Sequence, residues 1–239
     1  LTKILKWYVG DVVYSNTENN ANDVNVDRYI VKSNNPDYNK EIVNFNGVLN
    51  TPRMISNITE YYYRTKIIFK IIKELIKEDG RKILILSDRR DHLKDIYEYI
   101  SENNVCSIGY YIGGMKEKDL KISEEKDVIL GTFAMANEGL DIEALNTLIL
   151  ASPKSDVIQA TGRILRKSHA NITPTIVDII DNFASFERQA MKRLKFYRSK
   201  DYTIKHYEVQ DVSGEILSEK EDYFKEKKKE MIVVNTCLF

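Results

Sequence analysis

The sequence predicts an open α/β domain with a parallel sheet of at least five strands, and three observations predict it. Short continuous apolar runs, of the kind a strand buried on both faces shows, recur at 82–87, 106–112, 128–130, 147–151 and 175–180. Helical spacing fills the gaps at 92–101, 115–120, 156–167 and 183–197. Strands alternating with helices imply parallel pairing through right-handed crossovers. In such sheets ligands bind beyond the carboxyl ends of the strands, so the polar residues after each run are the candidate site.

Residues 1–52 read as a linker with short strands: an apolar stretch at 7–14, asparagine-rich polar runs, and the alternation Asp27-Arg28-Tyr29-Ile30-Val31. From 58 to 77, Ile67, Ile68, Ile71, Ile72, Leu75 and Ile76 recur at helical spacing, and Gly80 follows as a stop, which predicts one helix packed on the sheet. The α/β domain itself is expected over 53–208, its last part an apolar alternation at 202–209. A charged extension then covers 209–239, in which 219–230 reads as a solvated helix and 231–239 is apolar enough to pack against something.

Lysine plus arginine and aspartate plus glutamate each number 36, so no global attraction to a polyanion exists and any such site must be local. Cys106 and Cys237 are far apart and lack Cys-x-x-Cys spacing, which argues against a disulfide framework and against a zinc site, and no metal ligands are expected. No apolar run approaches the roughly 18 residues that span a bilayer, and the start lacks the form of a signal peptide. The expectation is a protein of a reducing intracellular compartment, cytoplasm, nucleus or virion, with no membrane partner.

The first strand end reads Ser87-Asp88-Arg89-Arg90-Asp91-His92. Hydroxyl, guanidinium and helix-start amides there can hold a phosphate, or the aspartates can pair with the arginines as a surface cluster. At the second, Gly113-Gly114 permits close backbone approach and positive φ, or is simply a turn. At the third, Thr132 suits a phosphodiester oxygen, and Asp141, after Glu138-Gly139-Leu140, can accept hydrogen bonds from a ribose; both can equally be caps. At the fourth, Pro153 breaks the strand, Ser155 or Asp156 caps a helix, and that helix carries Gln159, Gly162, Arg163 and Arg166. Two guanidinium groups three residues apart reach one anionic target, with a nucleotide phosphate the natural candidate. A glycine inside that helix costs about 1 kcal/mol relative to alanine, which favours a close approach at Gly162.

In order, these segments resemble the second (C-terminal) RecA-like domain of superfamily 2 helicases, over 81–166 and more weakly through 174–202. The Gln-x-x-Gly-Arg-x-x-Arg pattern of 159–166 is similar to the last motif of that family, and the nearest likeness is to DNA helicases of large DNA viruses, of the poxviral transcript-release type, and to phage annealing helicases. The resemblance implies a three-layer RecA-like fold. It also implies that Ser87, Arg89, Gly113, Gly114 and Thr132 face the sugar-phosphate backbone of one strand. Gly139 and Asp141 would lie near the nucleotide, and Gln159, Arg163 and Arg166 would contact the ATP phosphates, with Arg166 as arginine finger.

None of the ten glycines is followed by lysine, and Asp-Glu does not occur, so a Walker A loop and its acidic companion are missing from this sequence. With no initiating methionine at Leu1, the expectation is a piece of a larger protein whose first RecA-like domain precedes it and holds most of the ATP and Mg. The chain alone would then be catalytically incompetent, with nucleic acid, DNA favoured by the resemblance, and that first domain as its partners. Three alternatives stay open: a non-enzymatic helicase-like module that binds nucleic acid or protein, an ATP-driven translocase or remodeler that does not unwind, and an unrelated nucleotide-binding α/β protein.

Overall fold

A computed structural model describes residues 24–138, 140–165 and 172–222. The chain begins with β1 (Asn25–Lys32), then α1 (Thr51–Glu60) and α2 (Tyr62–Leu75). Four α/β repeats follow: β2 (Ile83–Leu86) and α3 (Arg90–Glu102), β3 (Ile108–Tyr111) and α4 (Glu117–Glu124), β4 (Val128–Gly131) and α5 (Phe133–Glu138), β5 (Thr147–Leu150) and α6 (Ile158–Ile164). The described chain closes with β6 (Thr175–Asp181), α7 (Ala184–Ser199), β7 (Thr203–Gln210) and β8 (Ile216–Glu221).

All eight strands form one sheet in the order β3-β4-β2-β5-β6-β1-β7-β8, parallel throughout except for the antiparallel pair β7/β8. The apolar runs divide by alternation, as buried strands must. Ile83 and Ile85 face one core with Ile58, Ile68, Ile72 and Ile96 of α1 to α3. Leu84 and Leu86 face the other with Ala136, Ala160, Ile164 and Tyr197 of α5 to α7. The result is the expected three-layer α/β arrangement.

Three features differ from expectation. The segment expected as a linker strand is β1, an interior strand paired in register with β6 on one side and β7 on the other. Its alternation was legible, but a partner on each edge is a long-range fact that local periodicity does not carry. The single helix expected over 58–77 is two, because Tyr61 takes an extended conformation (φ −75°, ψ 107°) and breaks the ladder. The charged stretch from Glu219 begins as strand rather than helix: Glu219 to Glu221 lie in β8, whose pairing with β7 outweighs charge patterning, while most of the rest of that stretch lies outside the described residues. Residues 203–222 thus extend the sheet.

No helix among the described residues is long and apolar enough to cross a membrane.

Candidate functional site

The carboxyl ends of β2, β4 and β5 are tied into one rim by backbone bonds. The Ser87 amide donates to the Gly131 carbonyl (3.1 Å), and the Ala151 amide to that of Leu86 (2.9 Å). Ser152 reinforces the tie, its Oγ accepting the Asp88 amide at 2.9 Å. Lys154 pairs with Asp88 (3.3 Å) and lies 5.1 Å over the Phe133 ring. At β3, the exposed Arg90 donates from one terminal nitrogen to the Gly113 carbonyl at 3.0 Å, which holds the glycine turn against the start of α3. Gly114 sits at φ +93°, where only glycine is unstrained.

Beneath the rim is a buried polar layer that the sequence patterns did not single out. Asp181, at the end of β6, receives Arg64 through Nε (2.5 Å) and a terminal nitrogen (2.9 Å), and also the Tyr38 hydroxyl (2.6 Å). Burial alone would lower the pKa of Arg64, but Asp181 outweighs it and holds the guanidinium charged. The third arm of Arg64 donates to the Ala151 carbonyl at 2.8 Å. Asp178, three residues earlier and so on the opposite face of the sheet, receives Arg193 (2.7 Å) and Arg28 (3.5 Å), and Arg193 also donates to the Lys154 carbonyl. Arg64 and Arg193, each closed on an aspartate of β6, therefore grip the start and the middle of the loop that leads into α6. Their available signal was two carboxylates inside the apolar run Thr175-Ile-Val-Asp-Ile-Ile-Asp181, since charges are buried only when paired.

The expected site residues separate into groups. Ser87 does not face outward as expected: it is wholly buried, its Oγ 3.2 Å from His92 Nδ1 and accepting the Arg89 amide at 3.2 Å. The strand end turns the short side chain into the core, where His92 satisfies it. His92 in turn lies 3.3 Å from Thr65 Oγ1, and burial, with Arg64 nearby, pushes its pKa down to about 3, so the ring is neutral. Arg89 is half-buried and turned toward α1, donating to Ser56 Oγ (2.9 Å) and the Pro52 carbonyl (2.5 Å), so that it fastens the first two turns of α1 to the rim. The neighbouring Arg90, to which the resemblance assigned no role, is the exposed one of the pair.

Thr132 sits partly exposed between β4 and α5, its Oγ1 3.5 Å from the Met135 amide, the cap geometry that its sequence position allowed. Gln159 and Asp141 are exposed. Arg163 donates from Nε to the Ala136 carbonyl (2.9 Å), one of the carbonyls a short helix leaves without an internal partner, which braces α6 against α5. Gly162 is exposed, and among the described residues nothing lies within 4 Å of the point where a Cβ would stand. Arg166 and Gly139 lie outside the described residues. Ser87, Arg89, Arg90, Gly113 and Thr132 thus share one rim, and Gln159, Gly162 and Arg163 share the helix beside it.

This fold, with an arginine-bearing helix after β5 at the rim, is that of a RecA-like domain. Residues 67–168 match the helicase conserved C-terminal domain family. Viral helicases are among its relatives. A putative ATP-dependent RNA helicase of Acanthamoeba polyphaga mimivirus is 34% identical over 94% of this chain and 43% of its own length. The ATP-dependent DNA helicase uvsW of Enterobacteria phage T4 is 26% identical over 64% of this chain and 32% of its own length. The crystal structure of T4 UvsW shares the fold with a TM-score of 0.62 at 18% identity, covering 80% of this chain and 42% of that one. The chain spans less than half the length of the curated relatives it matches.

Proposed function

We propose that this chain is the C-terminal half of an ATP-dependent superfamily 2 helicase or translocase. In that role it supplies arginines to ATP held between itself and a first RecA-like domain, and it forms part of the grip on one nucleic-acid strand. The observation that carries the proposal is the open face of α6. Gln159 and Gly162 are exposed, Arg163 is braced from behind by Ala136, and the missing Cβ at Gly162 serves no packing need among the described residues. A helix that forgoes about 1 kcal/mol of propensity at an exposed position is shaped for something outside its own chain.

ATP, with Mg, supplies the phosphoanhydride bond whose cleavage drives the cycle. Gln159, Arg163 and Arg166 would bind its phosphates, with Arg166 neutralising charge that builds up on the transferred phosphoryl group. Asp141 and Gly139 would lie toward the nucleotide. Arg90, Gly113, Gly114 and Thr132 would meet phosphates of the strand, with Ser87 and Arg89 holding the loop from within. The relatives' names divide between RNA and DNA helicases. We favour DNA on the resemblance to viral and phage DNA helicases, and the 2′-hydroxyl is what would distinguish the two.

The test is ATP hydrolysis by this chain alone and joined to a first RecA-like domain of the superfamily, with matched DNA and RNA strands as stimulators. Negligible hydrolysis alone, strand-stimulated hydrolysis when joined, and a loss of about 10³ to 10⁵ in rate on Arg166→Ala are expected. Robust hydrolysis by the chain alone, or a joined protein indifferent to Arg166→Ala, would overturn the proposal.

A further inference from the structure

Between β1 and α1 the chain makes a small hairpin that the functions above leave unused. Val43 and Leu49 form an antiparallel bridge, the Asn44 amide donates to Val48 (2.8 Å), and the Gly47 amide closes the turn on Asn44 (2.9 Å), with Gly47 at φ +76°. Asn50 locks the foot: its amide donates to Ile42 (2.7 Å), its side chain donates to Asn44 Oδ1 (2.7 Å), and its own Oδ1 caps α1 by accepting the Arg53 amide (3.1 Å). At the tip Phe45 is wholly exposed, at 105% of its reference area, flanked by Val43 and Val48, each more than half exposed.

The bonded turn holds Phe45, with Val43 and Val48 beside it, out in water as a small apolar tip. Position and charge indicate which ligand. The hairpin follows the carboxyl end of β1 and ends in the helix cap whose next residues, Pro52 and Ser56, are held by Arg89 of the rim. From Val43 to Thr59 the sequence has no carboxylate, in a chain with 36, and carries Arg53, which is exposed. An uncharged aromatic tip at the end of the sheet where Arg53 and Arg90 are exposed fits an unpaired nucleobase, whose π-face any aromatic ring can stack on while those guanidinium groups meet its phosphates.

We propose that Phe45 is a base-stacking site for single-stranded nucleic acid, extending the grip of the rim onto the bases; this rests on the nucleic-acid part of the function proposed above. The test measures binding by the 239-residue chain, at low salt, to a single-stranded oligonucleotide and to an abasic strand with the same number of phosphates. The wild type should prefer the base-bearing strand by about 5- to 150-fold, the range one stacked base supplies. Phe45→Ala should erase that preference while leaving abasic binding unchanged, and Phe45→Trp should restore it. A preference that survives Phe45→Ala, or a variant that weakens both strands alike, overturns the inference and leaves the nucleic-acid grip standing. Failure of the wild type to bind either strand overturns both. Loss of association with a first RecA-like domain in Phe45→Ala, with the base preference intact, would reassign the hairpin to a protein contact and so also overturn it.

Discussion

Arg64 and Arg193 are buried and each closes on an aspartate of β6, whereas Arg90 and Arg163, from the same end of the sheet, stand wholly or partly in solvent and each holds a backbone carbonyl. A guanidinium that has lost its water must be repaid by a carboxylate, so the buried pair is committed to holding the fold. One that keeps part of its hydration can exchange it for a ligand's phosphate. The contrast separates arginines committed to the loop before α6 from arginines that keep part of their hydration beside it.

The largest effect expected on the chemical side is the loss of about 10³ to 10⁵ in rate for Arg166→Ala in the joined protein. Arg64→Ala should act on the fold instead, leaving Asp181 and the Tyr38 hydroxyl short of a buried partner and lowering stability by about 3–5 kcal/mol in urea titrations. If Arg64→Ala cost less than about 1 kcal/mol, the buried layer would not be the clamp its geometry implies.

A smaller effect belongs to His92, the neutral member of that layer. In the folded chain it takes a proton only near pH 3, whereas unfolded histidine does so near its ordinary value of 6.5. The unfolded state therefore binds more protons between those values, and stability contributed by neutral His92, fully present above pH 6.5, falls as the pH drops. About 2 kcal/mol should be lost by pH 5. Comparing urea midpoints at pH 7 and pH 5 checks it, because His92→Gln should shrink the difference; an equal drop in that variant would trace it to other groups.

The smallest effect is at Gly162. Alanine there meets no described neighbour, so Gly162→Ala should leave stability unchanged or raise it by up to about 1 kcal/mol, while slowing hydrolysis by the joined protein. A stabilised variant with undiminished hydrolysis would leave the glycine without a role in the ATP cycle.

Much of this was legible before any coordinates. The five central runs are strands β2 to β6, and Gln159 to Ile164 fall on the helix after β5, because apolar continuity and helical spacing are local properties that a strand or helix displays in its own residues. The break at Tyr61 was not legible, since that residue is extended in order to send its hydroxyl 2.7 Å from Asp211, 150 positions away. Nor was the choice between Arg89 and Arg90: adjacent residues point in different directions, and only the approach of α1 decides which is taken inward.

By itself, then, the sequence determined the α/β class, the parallel pairing of its central repeats and the place of Gln159, Gly162 and Arg163 on the helix after β5. The tertiary structure decided that β1 is interior, that Asp178 and Asp181 hold the loop before α6, that Ser87 is internal and that Phe45 stands in solvent. The physical reason is range. Periodicity, capping and turn chemistry act over a few residues, whereas burial and ion pairing depend on which distant segments arrive beside them, and desolvation then fixes whether a polar side chain supports the fold or faces a ligand.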